Sequence, residues 1–140
     1  MRRFMDQVQA HWQDNYQAGS IVVVDETMAG WTADSNVHIT RLPNKPTDRG
    51  VCLKTAADGL GKVMLSFELL ECAADQAQKR HSEEGKAAAV ALRLTKHLHN
   101  KGPRIVLADA WFGGMLTSFA LMKRDLHSIV NVKTQTKYFC

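Results

Sequence analysis

Cysteine is scarce in this chain: Cys52, Cys72 and Cys140 are the only three among 140 residues, and no two form a C-x-x-C pair. An odd, unpaired set fits neither a disulfide framework nor a paired zinc site, so reduced thiols are expected. Proline is confined to Pro43, Pro46 and Pro103, and no Gly/Ser-rich stretch occurs, which excludes a collagen-like fibre and a flexible linker. Long apolar runs are also missing. The longest stretch without a charge, Ala110 to Met122, falls short of the roughly 18 to 20 apolar residues of a membrane-spanning helix. After Met1-Arg2-Arg3 the chain mixes Asp, Gln and His, so no apolar secretory segment follows and an intracellular chain with no membrane partner is expected.

Motifs of several enzyme classes are absent as well. There is no Gly-x-Ser-x-Gly, and no cysteine has a histidine close by in sequence, so nucleophilic hydrolysis lacks local support. Gly59-Leu60-Gly61-Lys62 has Ala56 where a phosphate loop needs glycine and Val63 where it needs a hydroxyl. No small-molecule substrate is therefore expected. What remains is ordinary globular material: 45% hydrophobic and 23% charged residues suit a packed single domain over 1–140, or part of one. The net charge of +4 is modest but uneven. Residues 101–140 carry Lys101, Arg104, Lys123, Arg124, Lys133 and Lys137 against Asp109 and Asp125, a basic surface suited to a polyanion, although the same charge also serves a simple soluble surface. His97 and His99, two apart, cannot share a metal from one helix face and read as solvated or helix-end cations. Trp12, Trp31 and Trp111 read as packing residues, since no basic-aromatic alternation surrounds them.

The hydropathy pattern predicts the order α, β, β-hairpin, α, β, α, β. Phe4, Val8 and Trp12 give an amphipathic helix within 1–19, stopped by Gly19, ahead of a core over 20–140. Ile21 to Val24 is a short β-branched run of the kind buried on both faces, which Asp25-Glu26 should end. A loop over Thr27–Asp48 follows, with an edge strand near Val37–Ile39. Val51–Ala57 and Lys62–Leu70, separated by Asp58-Gly59-Leu60-Gly61, read as a hairpin. Ser82 should cap a helix whose stripe is Ala87, Ala91, Leu94 and Leu98, closed by Gly102-Pro103. A strand at Ile105–Ala108, a helix at Leu116–Lys123 and a strand at Ser128–Val132 complete an α/β chain with a mixed (α+β) sheet.

Two strands of this set are apolar and end in an acid, Val24-Asp25 and Ala108-Asp109. If the strands are parallel neighbours, about 4.8 Å apart, the two carboxylates can reach common cations. Two divalent ions held by carboxylates can stabilise both the attacking and the leaving oxygen in phosphodiester cleavage. The competing reading is that each aspartate caps the turn after its strand.

Taken in order, Val23-Val24-Asp25-Glu26, then Pro43-Asn44-Lys45-Pro46 with Gly50, then Ala108-Asp109-Ala110-Trp111-Phe112, resemble the transposase domain of the piggyBac family, including its domesticated members. Ile129-Val130-Asn131-Val132-Lys133 is similar to the strand that follows the second acid. The resemblance implies an RNase H-like fold, with three acids that bind two Mg²⁺ or Mn²⁺ ions, cut DNA by water attack and join the freed 3′ end to target DNA. Asp25 and Asp109 match the first two acids; the third is expected on a helix beyond Cys140. With two acids, metal binding should be weak and cleavage impaired or lost. The alternative is a non-catalytic remnant that binds nucleic acid or protein. Departures from the family pattern are Asp-Ala-Trp-Phe for Asp-Asn-Trp-Phe and Gly30-Trp31 for Gly-Arg, with no family DNA-binding segment or cysteine-rich module. DNA contacts are assigned from charge to Lys45, Arg49, Lys133 and Lys137, and a nuclear location follows from the resemblance. An uncovered sheet face should make the chain self-associate.

Overall fold

The computed structural model describes residues 2–32, 38–43 and 46–132. Helix α1 spans Arg2–Asn15. Strand β1 runs Ile21–Gly30, β2 Ile39–Arg41, β3 Arg49–Asp58 and β4 Met64–Leu69. A short helix α2, Ala73–Ala77, precedes α3, Lys86–Thr95. Strand β5, Arg104–Ala108, helix α4, Met115–Met122, and strand β6, Leu126–Val130, follow.

The six strands form one mixed sheet in the order β2-β3-β1-β5-β6, with β4 on the same edge of β3 as β2. β1 is antiparallel to β3 and parallel to β5, and β5 is parallel to β6. The hairpin expected at Asp58-Gly59 is present as the β3–β4 pair. Alternation along β1 decides what each face does. Val22 and Val24 are fully buried among α3, α4 and Val106, while Asp25 is exposed on the other side. Each such buried aliphatic contributes about 1.5–3 kcal/mol. On β4, Ser66 donates to the Leu94 carbonyl of α3, whereas its neighbour Phe67 meets Trp12 of α1. Helices α1 and α3 therefore lie on opposite faces, and α1 covers its face only over β4. Over β1, β5 and β6 no helix among the described residues covers that face.

Several boundaries differ from the sequence reading. Asp25-Glu26 do not end β1: pairing with β3 carries it on to Gly30↔Gly50. The edge strand is Ile39–Arg41, and Val37 lies outside the described residues. Ser82 caps no α-helix. Ser82–Glu84 form a separate tight turn, Gly85 at φ 90° resets the chain, and α3 begins at Lys86 with no side-chain cap. Helix α1 ends at Asn15 rather than Gly19, and the last strand starts two residues before Ser128. Ala91, Leu94 and Leu98 are buried as their spacing predicts. No described helix is long and apolar enough to cross a membrane.

Candidate functional site

Parallel pairing of β1 with β5 places Val24 opposite Ala108. An aspartate follows on each chain, so Asp25, still within β1, and Asp109, just past the end of β5, lie side by side where the parallel ladder stops. Both side chains are exposed. They line a shallow groove of about 430 Å³ on the open face, together with Val23, Leu107, Ile129 and Asn131. Ile129 is 61% exposed on β6 at the edge of the sheet, which makes the floor of the groove apolar and accessible.

The two carboxylates are held differently. Asp25 sits within a strand, and its Oδ1 accepts the N–H of Glu26 at 2.7 Å. Asp109 Oδ1 accepts the Trp111 N–H at 3.0 Å while its carbonyl accepts the Phe112 N–H at 3.1 Å, a side-chain-stabilised turn. The capping reading thus describes Asp109 in part and Asp25 not at all. In each case a single backbone donor is engaged, and the second oxygen makes no hydrogen bond among the described residues. Paired, exposed carboxylate oxygens suit a hard divalent cation in kind. Their number is short of a closed site: no cluster of three Asp, Glu, His or Cys that could hold a metal occurs among the described residues.

The turn after β5 is fixed from behind. Phe112 is buried in the core, and a methyl group at Gly113 would collide with the Asn131 carbonyl oxygen, so the turn packs directly on the chain leaving β6. Trp111 is 42% exposed, beside Phe112 with the rings edge to face. Lys54 of β3, only 3% exposed, lies with its Nζ 3.9 Å from the Trp111 ring centre and 2.5 Å from Glu26 Oε2. Sequence reading missed Lys54, because a lone lysine in a strand reads as a solvated residue. It also placed Trp31 and Trp111 in the packing, whereas both are more than 40% exposed; Trp12 does pack, on Phe67.

Of the residues assigned to DNA by charge, Arg49 is the one the structure describes; Lys45, Lys133 and Lys137 lie outside the described residues. Arg49 stands at the start of β3, paired with Arg41 and bonded to the carbonyls of Trp31 and Thr32. Five register steps separate Gly30↔Gly50 from Asp25↔Thr55, about 17 Å at 3.3–3.4 Å per residue. Arg49 therefore belongs to the tip of the β1–β3 ribbon, away from the acid pair.

The opposite end of the parallel strands is cationic, with Lys96, Lys101, Arg104 and Arg124 around two histidines. His97 and His99 lie at the helix end as the sequence suggested, in and just past the turn Lys96–Leu98 that follows α3, but they are partly buried rather than solvated. Burial, reinforced by these neighbours, lowers both from 6.5 to about 4. Both ring nitrogens of His97 are buried with no hydrogen-bond partner among the described residues. A larger, mainly apolar cavity of about 550 Å³ lies against α2 and α3 and includes Trp111, but neither Asp25 nor Asp109.

The sequence matches the Transposase IS4 family over residues 1–139. No curated protein matches it. Among solved structures, the chain is similar to piggyBac transposase in a cryo-EM synaptic complex with hairpin DNA, with a TM-score of 0.80 at 18% identity over 97% of this chain and 28% of that one. The Mos1 transposase paired-end complex with the left transposon end gives a TM-score of 0.46 at 13% identity, over 95% of this chain and 41% of that one. The chain thus spans under a third of the length of the piggyBac transposase chain. The mixed sheet and the first of these likenesses make the fold RNase H-like, as the sequence resemblance implied.

Proposed function

Because the chain belongs to the Transposase IS4 family, we propose that it is a piggyBac-type transposase domain whose Asp25 and Asp109 form two ligands of a divalent-metal site for DNA strand cleavage and transfer. The observation that carries this reading is the register Val24↔Ala108, which brings both acids to the lip of one open groove. Mg²⁺ or Mn²⁺ bound there would supply charge neutralisation at a scissile phosphate and activation of the attacking oxygen. The chain's own contribution is to present two carboxylate oxygens from a rigid sheet. One is set by the strand and one by the turn that Asp109 builds with Trp111. The apolar floor of Val23, Leu107 and Ile129 flanks that pair. Two carboxylates by themselves would hold such an ion only weakly, and no third acid joins them among the described residues. Lys45, Arg49, Lys133 and Lys137 are proposed contacts to the DNA backbone, and a nuclear location belongs to the same reading.

The test is nicking of supercoiled plasmid in Mg²⁺ or Mn²⁺ by the folded chain, its Asp25→Asn form and its Asp109→Asn form. Metal-dependent nicking lost in both variants supports the proposal. Nicking unaffected by either change overturns the assignment of the acids. A second reading, nucleic-acid binding without cleavage, is favoured by the two-acid count among the described residues. It predicts salt-dependent DNA binding that is indifferent to Asp25→Ala, with no nicking from the folded wild type.

A further inference from the structure

We propose that Lys54 is a positioning residue that ties the strand bearing Asp25 to the turn bearing Asp109. Its consequence for metal binding rests on the reading above, whereas the tie itself rests on geometry. A lysine 3% exposed in the middle of a sheet needs compensation for its lost hydration. Lys54 has it from two directions. Glu26 Oε2 lies 2.5 Å from Nζ, the Trp111 ring centre lies 3.9 Å away, and that of Phe112 lies 5.8 Å away. A carboxylate and an aromatic face both attract an ammonium, and the latter attraction strengthens when the pair is desolvated.

The three partners sit close to the candidate acids in the chain. Glu26 follows Asp25 and, by strand alternation, turns to the opposite face, where it is the register partner of Lys54. Trp111 is the residue whose N–H Asp109 grips. The parallel ladder between β1 and β5 ends at Val24↔Ala108, one residue short of both acids. Lys54 supplies a link across that gap on the covered face, while the carboxylates stay open on the other. An apolar pair at 26 and 54 would hold β1 to β3 as well as an ion pair does. What the cation adds is a directed contact to a third element, the turn after β5.

The tie can be read without metal. In the ¹⁵N-labelled chain, Glu26→Gln is expected to shift the Trp111 indole N–H and the backbone amides of Asp109 to Trp111. Lys54→Met should shift those signals together with the amides of Asp25 and Glu26, and Lys54→Arg should largely restore them. Shifts confined to β1 and β3 in a folded variant overturn the tie. If Lys54→Met does not fold, Glu26→Gln and Lys54→Arg still decide it. The consequence is read by Mn²⁺ titration with electron paramagnetic resonance. Lys54→Met should weaken Mn²⁺ about tenfold, with Lys54→Arg close to wild type, in line with other residues that orient metal ligands. Unchanged Mn²⁺ affinity in folded Lys54→Met overturns the positioning role. Wild-type Mn²⁺ binding that survives Asp25→Asn and Asp109→Asn instead removes the metal reading, and the amide shifts still decide the tie.

Discussion

Three aspartates end or interrupt strands of this sheet, and they divide by how many backbone donors reach them. Asp58, at the close of β3, accepts the N–H groups of Gly19, Leu60 and Gly61 at 2.5, 2.8 and 2.6 Å and is 3% exposed. Those bonds, with Tyr16 beside them, hold its carboxyl below the ordinary 3.8 against the opposing effect of burial. Asp25 and Asp109 each accept one side-chain hydrogen bond from the backbone and face solvent. The residue type and the place in or at the end of a strand are alike in all three. The difference is that Asp58 commits its oxygens to the fold, joining the α1–β1 connection to the hairpin turn, whereas the other two keep an oxygen for something outside it.

Removing Asp58 should therefore produce the largest loss of stability. Asp58→Ala leaves three backbone N–H groups without their acceptor, and at about 1 kcal/mol per bond the expected cost is about 3 kcal/mol. Urea unfolding followed by circular dichroism measures it. A loss below about 1 kcal/mol would mean that water replaces the carboxylate easily and that the contrast with Asp25 is weak. Next in size is Gly113→Ala. Its added methyl meets the Asn131 carbonyl, so the turn after β5 must shift, at an expected cost of about 1–3 kcal/mol. That variant should also disturb Trp111, which the indole fluorescence of a Trp12→Phe, Trp31→Phe background would report.

The acid pair is legible in the amino-acid sequence because its signal is local: an apolar run followed by an acid, twice. The Asp-Gly hairpin is legible for the same reason. What escapes such a reading depends on partners distant in the chain. The stretch Thr27–Gly30 has no strand pattern of its own and is extended because β3 lies alongside it. Gly85 breaks a helix that Ser82-Glu83-Glu84 would otherwise start, by a backbone angle that no neighbour announces. Lys54 is invisible in the same way, since neither Glu26 nor Trp111 is near it in the chain.

The cationic end of the sheet sharpens the comparison through pH. His97 and His99 are lowered to about 4, first by burial and then by neighbouring cations. Unfolded, they take up protons near 6.5; folded, they resist until about 4. Stability should accordingly fall as pH drops from 6.5 towards 4. A second loss follows below 3.8, as the depressed carboxyl of Asp58 is protonated. Unfolding midpoints measured across this range should show two steps. His97→Phe should flatten the first, and Asp58→Asn the second. A single step centred below 4 would mean that the histidines are solvated after all.

The smallest effect on stability is expected at the two candidate acids. Asp25→Asn and Asp109→Asn keep the shape of each side chain and an oxygen for its one backbone donor, at exposed positions, so unfolding free energy should change by no more than about 0.5 kcal/mol. A modest gain would suit the pair better than a loss, because like charges on adjacent strands repel and each Asn removes one of them. That sign makes the measurement informative beyond its size. Stabilisation by Asn in metal-free buffer, abolished when Mn²⁺ is added to the wild type, is what a cation site built at the expense of the fold would give. A loss of more than about 1 kcal/mol in either variant would place that aspartate with Asp58, as a residue the fold has already claimed.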